Sequence, residues 1–420
     1  MRERFAVLRN CFIPVSLIAG VLALAFGQSG LKILPFSEQL SQYSGTLMIC
    51  LSASLFLGNN GKLNVIETVK RVGDSFLINC ASEIGQFGVF ILLGYAVTML
   101  FQTVSPWIGM LLPAGFVGSH GTAAVMSTAL SDAGYAQAFS IGQTFATVGL
   151  LFGILSGVAF INLAVRKGYT AVIHSMEQLP EELRRDDIPA CRQDSIGNNT
   201  VNSIAVDTLT YHIMLIFCAV ALANLGSWLL GFVFPEFSVP VYALAFVSGM
   251  LVQQIIKKCN LEQSVDRNLI IHISGTLTDY IVAFGIASVD LHTVVQYWPP
   301  IVLLSVVGFC YCTFMLFGIS RYCFKDHWFE RGIFVFGWSS AAMPIAMMLL
   351  RIADPDYSSG ILEDANMAWI FLNFVDLLLV TFLPVMVING HGIISGLVLT
   401  AIAAMMLLLC RVKYGRKKDS

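Results

Sequence analysis

The sequence predicts an all-α polytopic membrane protein of two inverted repeats with opposed re-entrant hairpins and about ten transmembrane helices. Three observations carry that prediction. Of the 420 residues, 56% are hydrophobic and only 12% are charged, too few charges to cover a soluble protein of this size. The apolar residues gather into runs of roughly 17–25, long enough to cross a bilayer. Two polar interruptions, 218 positions apart, break this apolar background: Phe116-Val117-Gly118-Ser119-His120-Gly121-Thr122-Ala123-Ala124-Val125-Met126 and Phe334-Val335-Phe336-Gly337-Trp338-Ser339-Ser340-Ala341-Ala342-Met343-Pro344.

Aligned without gaps, these stretches share Phe-Val and Ala-Ala, and Thr122 faces Ser340. Each sits at the corresponding place in its own half. Paired interruptions of this kind point to the binding site of a transporter.

Taken in order, residues 1–165 form the first repeat, with spans at 12–28, 45–59, 77–102 and 138–165 and a hairpin at 106–130. Arg2, Arg4 and Arg9 precede the first span, which resembles a leader, but Phe12-Ile13-Pro14-Val15 is echoed by Ser238-Val239-Pro240-Val241. The echo favours an uncleaved helix of the bundle. Residues 166–207 hold Glu177, Glu181, Glu182, Arg184, Arg185, Asp186 and Asp187, and read as a solvated cytoplasmic linker. The second repeat, 208–388, has spans at 208–231, 240–256, 268–287, 299–320 and 366–388 and a hairpin at 331–352. Residues 389–420 add a helix at 392–410 and a basic cytoplasmic tail. Four spans precede the second hairpin and three the first, so one helix is expected to be missing from the front. The ten cysteines are scattered and suggest neither a metal site nor disulfides.

Basic residues set the orientation. With a cytoplasmic N-terminus and both interrupted segments entering and leaving on one side, 23 of the 24 Lys and Arg are cytoplasmic, and only Lys32 is outside. A full crossing at 106–130 would put 12 of them outside. Hairpins dipping from opposite faces therefore fit best, as inverted repeats would give.

Non-helical backbone at membrane depth must line a cavity or lie buried in protein. Gly109, Pro113, Gly115, Gly118 and Gly121 make 106–130 a poor continuous helix. A break there frees amides at a helix N-terminus, which attract a carboxylate. Ser119 and Thr122 add hydroxyls that can donate to a substrate or ligate Na⁺; the bland alternative is close helix packing through small residues. His120 can meet substrate or be satisfied by a buried partner. Ser339 and Ser340 are the equivalents in the second hairpin. Asp376 and Asp279 stand deep in spans, where a carboxylate implies cation coordination, proton coupling or a buried anchor. Asn373, on the Asp376 helix face, adds an amide oxygen, and such oxygens suit a hard cation. Asn79, Glu83 and Gln86, early in 77–102, read as interfacial, and Arg351 as a cytoplasmic anchor. No phosphate-cradling loop, HExxH or nucleophile elbow is present, so no enzyme, resident cofactor or nucleic-acid partner is expected.

Gly118-Ser119-His120-Gly121-Thr122 resembles the Gly-Gly-His-Gly-Thr signature of bacterial sodium/glutamate symporters. Phe12-Ile13-Pro14, the run 144–158, Ala342-x-Pro344 and Phe374-Val375-Asp376 are similar too. Ser119 departs from the pattern, as do Met343 and Ile345 where the family carries threonines. The resemblance implies two five-helix inverted repeats and Na⁺-coupled uptake of glutamate by alternating access. It also implies a homodimer in the bacterial inner membrane. On the residues themselves, Gly118 to Thr122, Ser339 and Ser340 are expected to bind substrate, and Asp376 with Asn373 the Na⁺, with Asp279 as second choice. Two other readings stay open: a cation-coupled carrier of another organic anion such as a 2-hydroxycarboxylate, and a non-transporting membrane sensor or scaffold.

Overall fold

The computed structural model describes residues 13–37, 39–59, 65–102, 104–173, 195–202, 204–233, 240–355 and 357–414. The N-terminal arginines, most of the linker's charges and residues 415–420 lie outside them. Each expected span contains a helix. The first repeat gives α1 (Val15–Phe26), α2 (Leu40–Ser54), α3 (Val65–Leu100), α4 (Ile108–Phe116), α5 (Ser119–Asp132) and α6 (Ala138–Lys167). The second gives α7 (Thr208–Val233), α8 (Val241–Lys258), α9 (Arg267–Ala287), the short α10 (Leu291–Gln296) and α11 (Trp298–Phe314). Helix α11 continues through a π-helical turn, Met315–Ser320, to Cys323. Then come α12 (Trp328–Ala341), α13 (Met343–Ala353), α14 (Ile361–Ile388) and α15 (Gly392–Tyr414). Among the described residues seven helices are long and apolar enough to cross a membrane.

Two expected spans move. Helix α2 begins five residues before the expected 45–59, and α3 begins twelve before 77–102. Glu67, Lys70, Arg71 and Asp74 dilute the hydropathy of the first turns of α3 without breaking its helical pattern. Position 83 therefore lies in mid-helix rather than at the membrane surface.

The helices sort into two packed groups. Helices α1, α2, α7, α8 and α9 pack on one another; α3 to α6 and α11 to α15 form the other group. The Pro14/Pro240 echo holds in three dimensions. Both prolines precede a helix in extended backbone, and each helix packs against the helix that follows its counterpart in the other repeat, α1 on α9 and α8 on α2. Helix α15 runs antiparallel to α3, with Gly392 at Tyr95, Gly396 at Leu92, and Tyr414 at Gly73.

One end of the larger group is basic and aromatic. Arg321 lies over Tyr169 and Trp328, and Arg411 over Tyr322. Arg331 pairs with Asp74 at 2.9 Å and Asp364 at 3.3 Å. At this end the buried Glu330 accepts the N–H of Ala171 at 2.6 Å and Val172 at 3.3 Å, tying the chain beyond α6 to the second hairpin.

The far end of the linker is held by Asp266, the N-cap of α9. Its carboxylate accepts Asn268 N–H and Leu269 N–H, and from the linker both the backbone and side-chain N–H of Asn198. Burial pushes its pKa up, but these hydrogen bonds outweigh burial and hold it below the ordinary carboxylate range. Its contribution to stability is thus present above that range and is lost as pH falls through the lowered folded value. Asp266→Ala is expected to release 195–202 from α9, seen as faster proteolytic nicking there, at a cost of about 1 kcal/mol for the cap.

Candidate functional site

Both interruptions are hairpins. At the base of the first, Trp107 meets Tyr135, with ring centroids 5.5 Å apart, so its legs α4 and α5 start and end together. Its tip reaches inward along α6: Ser127 lies by Gly142, Gly115 by Ala146 and Phe116 by Gly149. The second hairpin, α12 and α13, lies along the remainder of α6. Trp328 at its base meets Tyr169, Leu349 lies by Gly157, and its tip reaches Gly153 and Gly149. Gly149 is the twelfth residue of α6, about 17 Å along it. That is close to half the ~30 Å hydrocarbon thickness. The two tips enter from opposite ends and meet there.

Glycine makes the meeting possible. A Cβ on Gly149 would stand 2.6 Å from the Ser340 carbonyl oxygen and 2.7 Å from the Phe116 ring. On Gly153 it would stand 2.7 Å from the Ser340 hydroxyl. This close approach is the small-residue packing expected where helices drive association without water.

The tips are not superimposable, contrary to the gap-free alignment. The first breaks at Val117–Gly118, with Ser119 in left-handed backbone at φ 56°; the second breaks at Ala342, φ 78°. Ser119 and Thr122 therefore begin a second leg, whereas Ser339 and Ser340 end a first leg. Both second legs start without a side-chain cap. The N-terminus of α5 thus opens at membrane depth without a cap, the arrangement that holds a carboxylate, whereas at α13 Pro344 has no N–H and Ile345 and Ala346 both donate to Ala342 C=O at 3.2 Å.

His120 is fully buried and its ring is engaged on both sides. Thr147 donates its hydroxyl to Gln143 C=O at 2.9 Å, so it accepts Nε2–H of His120 at 3.1 Å. Nδ1 then accepts the Ser119 hydroxyl at 3.3 Å. This neutral imidazole braces the tip, and Gln143 completes the brace by donating to His120 C=O at 3.1 Å. Gly285 of α9 lies against His120 and Gln143, which brings the smaller helix group to the first tip. In the second tip Ser339 and Ser340 donate back to Phe336 C=O at 3.3 and 2.7 Å, leaving their oxygens as acceptors.

The other expected residues separate. Asp376 is half-buried on α14, which packs on α3 and on α5. Asn373, three residues before it, uses its amide N–H on Trp369 C=O at 2.8 Å, which leaves its amide oxygen as the ligating atom. Asp279 is not part of this cluster. It lies on the exposed face of α9 with His272 and Thr276, since helical periodicity turns that face away from the buried Ile281, Val282 and Gly285. Arg351 is exposed at the end of α13.

The sequence reading missed Glu83. It is fully buried in mid-α3, and the Asp376 carboxyl faces it. Neither Glu83 oxygen has a hydrogen-bond partner besides the Asp376 carboxyl. The signal was there in the spacing of Asn79, Ser82, Glu83 and Gln86, which puts four polar side chains on one helix face.

Comparison with individually curated proteins gave no match. The model of one family, sodium/glutamate symporter, matches residues 1–351 and so takes in both hairpins and the whole first repeat. With a match over that share of 420 residues, the chain belongs to the sodium/glutamate symporter family.

Proposed function

We propose that the meeting hairpin tips and the Asp376 region are the working parts of Na⁺-coupled glutamate symport, the activity that family membership implies. The observation that supports this most is the convergence of the two hairpin tips at Gly149, the twelfth of the thirty residues of α6, with the uncapped start of α5 following directly on the first tip. Glutamate carries two carboxylates at neutral pH, and the start of α5 suits one of them. Gly118 to Thr122 frame this anchor, and Ser339 and Ser340 frame the site from the second tip with carbonyl and hydroxyl oxygens. Na⁺ is held by Asp376 and the amide oxygen of Asn373, hard oxygen donors for a hard cation.

Transport then proceeds by movement of the hairpin-bearing group against α1, α2, α7, α8 and α9, first exposing one tip and then the other. The reading includes a homodimer in the bacterial inner membrane. Both termini of this chain are cytoplasmic, on the same side as the basic, aromatic end around Arg321 and Arg331.

Uptake into proteoliposomes tests it. Labelled glutamate is expected to accumulate with an inward Na⁺ gradient and not when choline replaces Na⁺. Unlabelled glutamate should compete, and citrate and malate should not. Glutamate at 100 times its Kd should also stabilise the protein by about 2.7 kcal/mol, in Na⁺ only. Accumulation of citrate or malate instead would shift the substrate class. No ligand-dependent stabilisation would leave a membrane protein that does not transport.

A further inference from the structure

Helix α3 presents Asn79, Ser82, Glu83 and Gln86 at i, i+3, i+4 and i+7, all buried. The side-chain carbonyl oxygens of Asn79 and Gln86 and the Ser82 hydroxyl oxygen lack hydrogen-bond partners, and the Glu83 oxygens meet none besides the Asp376 carboxyl. The amide nitrogens are already used. Asn79 donates to Ser75 C=O at 2.8 Å, and Gln86 to the Cys312 sulfur at 3.7 Å. The column therefore offers oxygens and no N–H.

Two other helices face this column. Helix α14 brings Asp376 to Glu83, and the first turn of α8 brings Tyr242, whose buried hydroxyl lies beside Thr381. Among the described residues, no Lys or Arg is found among the groups acting on either carboxyl. Two ionised carboxyls that meet in this way repel, so the pair holds either a shared proton or a cation. Leucine at position 83 would pack a helix contact at lower cost. What is missing is a positive charge, and oxygen ligands without nitrogen or sulfur select a hard cation.

We propose that Glu83 and Asp376 hold one Na⁺ between them, with the free oxygens of Asn79, Ser82 and Gln86 lining its way along α3. This rests on the reading of Asp376 as a cation ligand and adds a second carboxylate to it. The position explains how the ion is felt elsewhere. One turn beyond Glu83, Gln86 reaches Cys312, whose thiol donates to Ser339 C=O at 3.3 Å in the second tip. On the opposite side Tyr242 belongs to the other helix group. An ion here adjoins both the substrate-bearing tip and the surface across which the two groups move.

The test uses the full chain purified in detergent, with Na⁺ alone as the probe, in choline-balanced buffer without glutamate. The melting midpoint of the wild-type protein is expected to rise with Na⁺. Glu83→Gln should raise the half-saturating Na⁺ concentration at least tenfold. The same variant should melt higher than wild type in Na⁺-free buffer, because one of two repelling carboxyls is gone; a structural anchor would move that midpoint down. Glu83→Asp, which keeps the charge, should recover most of the Na⁺ response. Wild-type half-saturation in Glu83→Gln overturns the paired site. If Asp376→Asn has then lost the Na⁺ response, the functional reading stands without the pair; if it too responds as wild type, that reading falls as well.

Discussion

Asp376→Asn is expected to lower Na⁺-dependent glutamate uptake about a hundredfold at low Na⁺ while leaving protein abundance near wild type. The substitution keeps shape and hydrogen-bonding size but removes the charge, and ligand charge count is what tunes hard-cation affinity most. A hundredfold loss corresponds to about 2.7 kcal/mol at the rate-limiting step. Abundance should hold because Asp376 is only half-buried and its carboxyl faces Glu83 rather than a basic partner. Removing a charge from such a pair relieves repulsion instead of stranding a partner. Uptake per folded molecule, measured beside size-exclusion of the same preparation, separates the two quantities. A parallel fall in both would make Asp376 an anchor between α14 and α3. Uptake that recovers at high Na⁺ would place the defect in ion binding; a loss that high Na⁺ does not relieve would place it in the movement that follows.

Much of this architecture could be read from the chain because it is written in residues with strong local consequences. Clustered glycine and proline weaken an apolar helix, so Gly118, Gly121 and Pro344 announced both breaks, and the basic residues favoured hairpins dipping from opposite faces. Helix faces were harder. Asp279 and Asp376 look alike in sequence, each an acid within an apolar run, yet one is exposed on α9 and the other meets Glu83. Telling them apart needs the neighbour, and the neighbour of Asp376 lies 293 positions earlier in the chain. Glu83 itself was hidden by a boundary error: judged by hydropathy, α3 seems to start at 77, and a residue six positions in belongs to the interface. With the helix starting at Val65, the same residue is mid-helix. Serine hydroxyls misled in a subtler way. Composition counts Ser339 and Ser340 as donors, but a serine in a helix can return its proton to a carbonyl of the preceding turn, and both do.

Gly149→Val is expected to abolish uptake, by more than a hundredfold, and to lower stability by about 1–3 kcal/mol as overpacking does. The reason is that this one position carries both tips. The added Cβ would come within 2.6 Å of the Ser340 carbonyl oxygen and 2.7 Å of the Phe116 ring, one from each hairpin. The carbonyl is backbone and cannot swing aside, so α12 must shift, and the tips part by a distance comparable with a hydrogen bond. A shift of that size disturbs any site assembled from both tips far more than it disturbs the fold. Gly149→Ala should show a smaller loss in the same direction, since the branched methyls are absent. Gly231→Val provides the control: a Cβ there meets nothing within 4 Å, and transport should be unchanged. Wild-type uptake in Gly149→Val would mean that substrate is not held where the hairpins meet. Loss of folded protein alone, with normal uptake by the molecules that remain, would make the contact structural. The expected result is the reverse, a protein that folds and binds Na⁺ but no longer brings its two hairpin tips to one place.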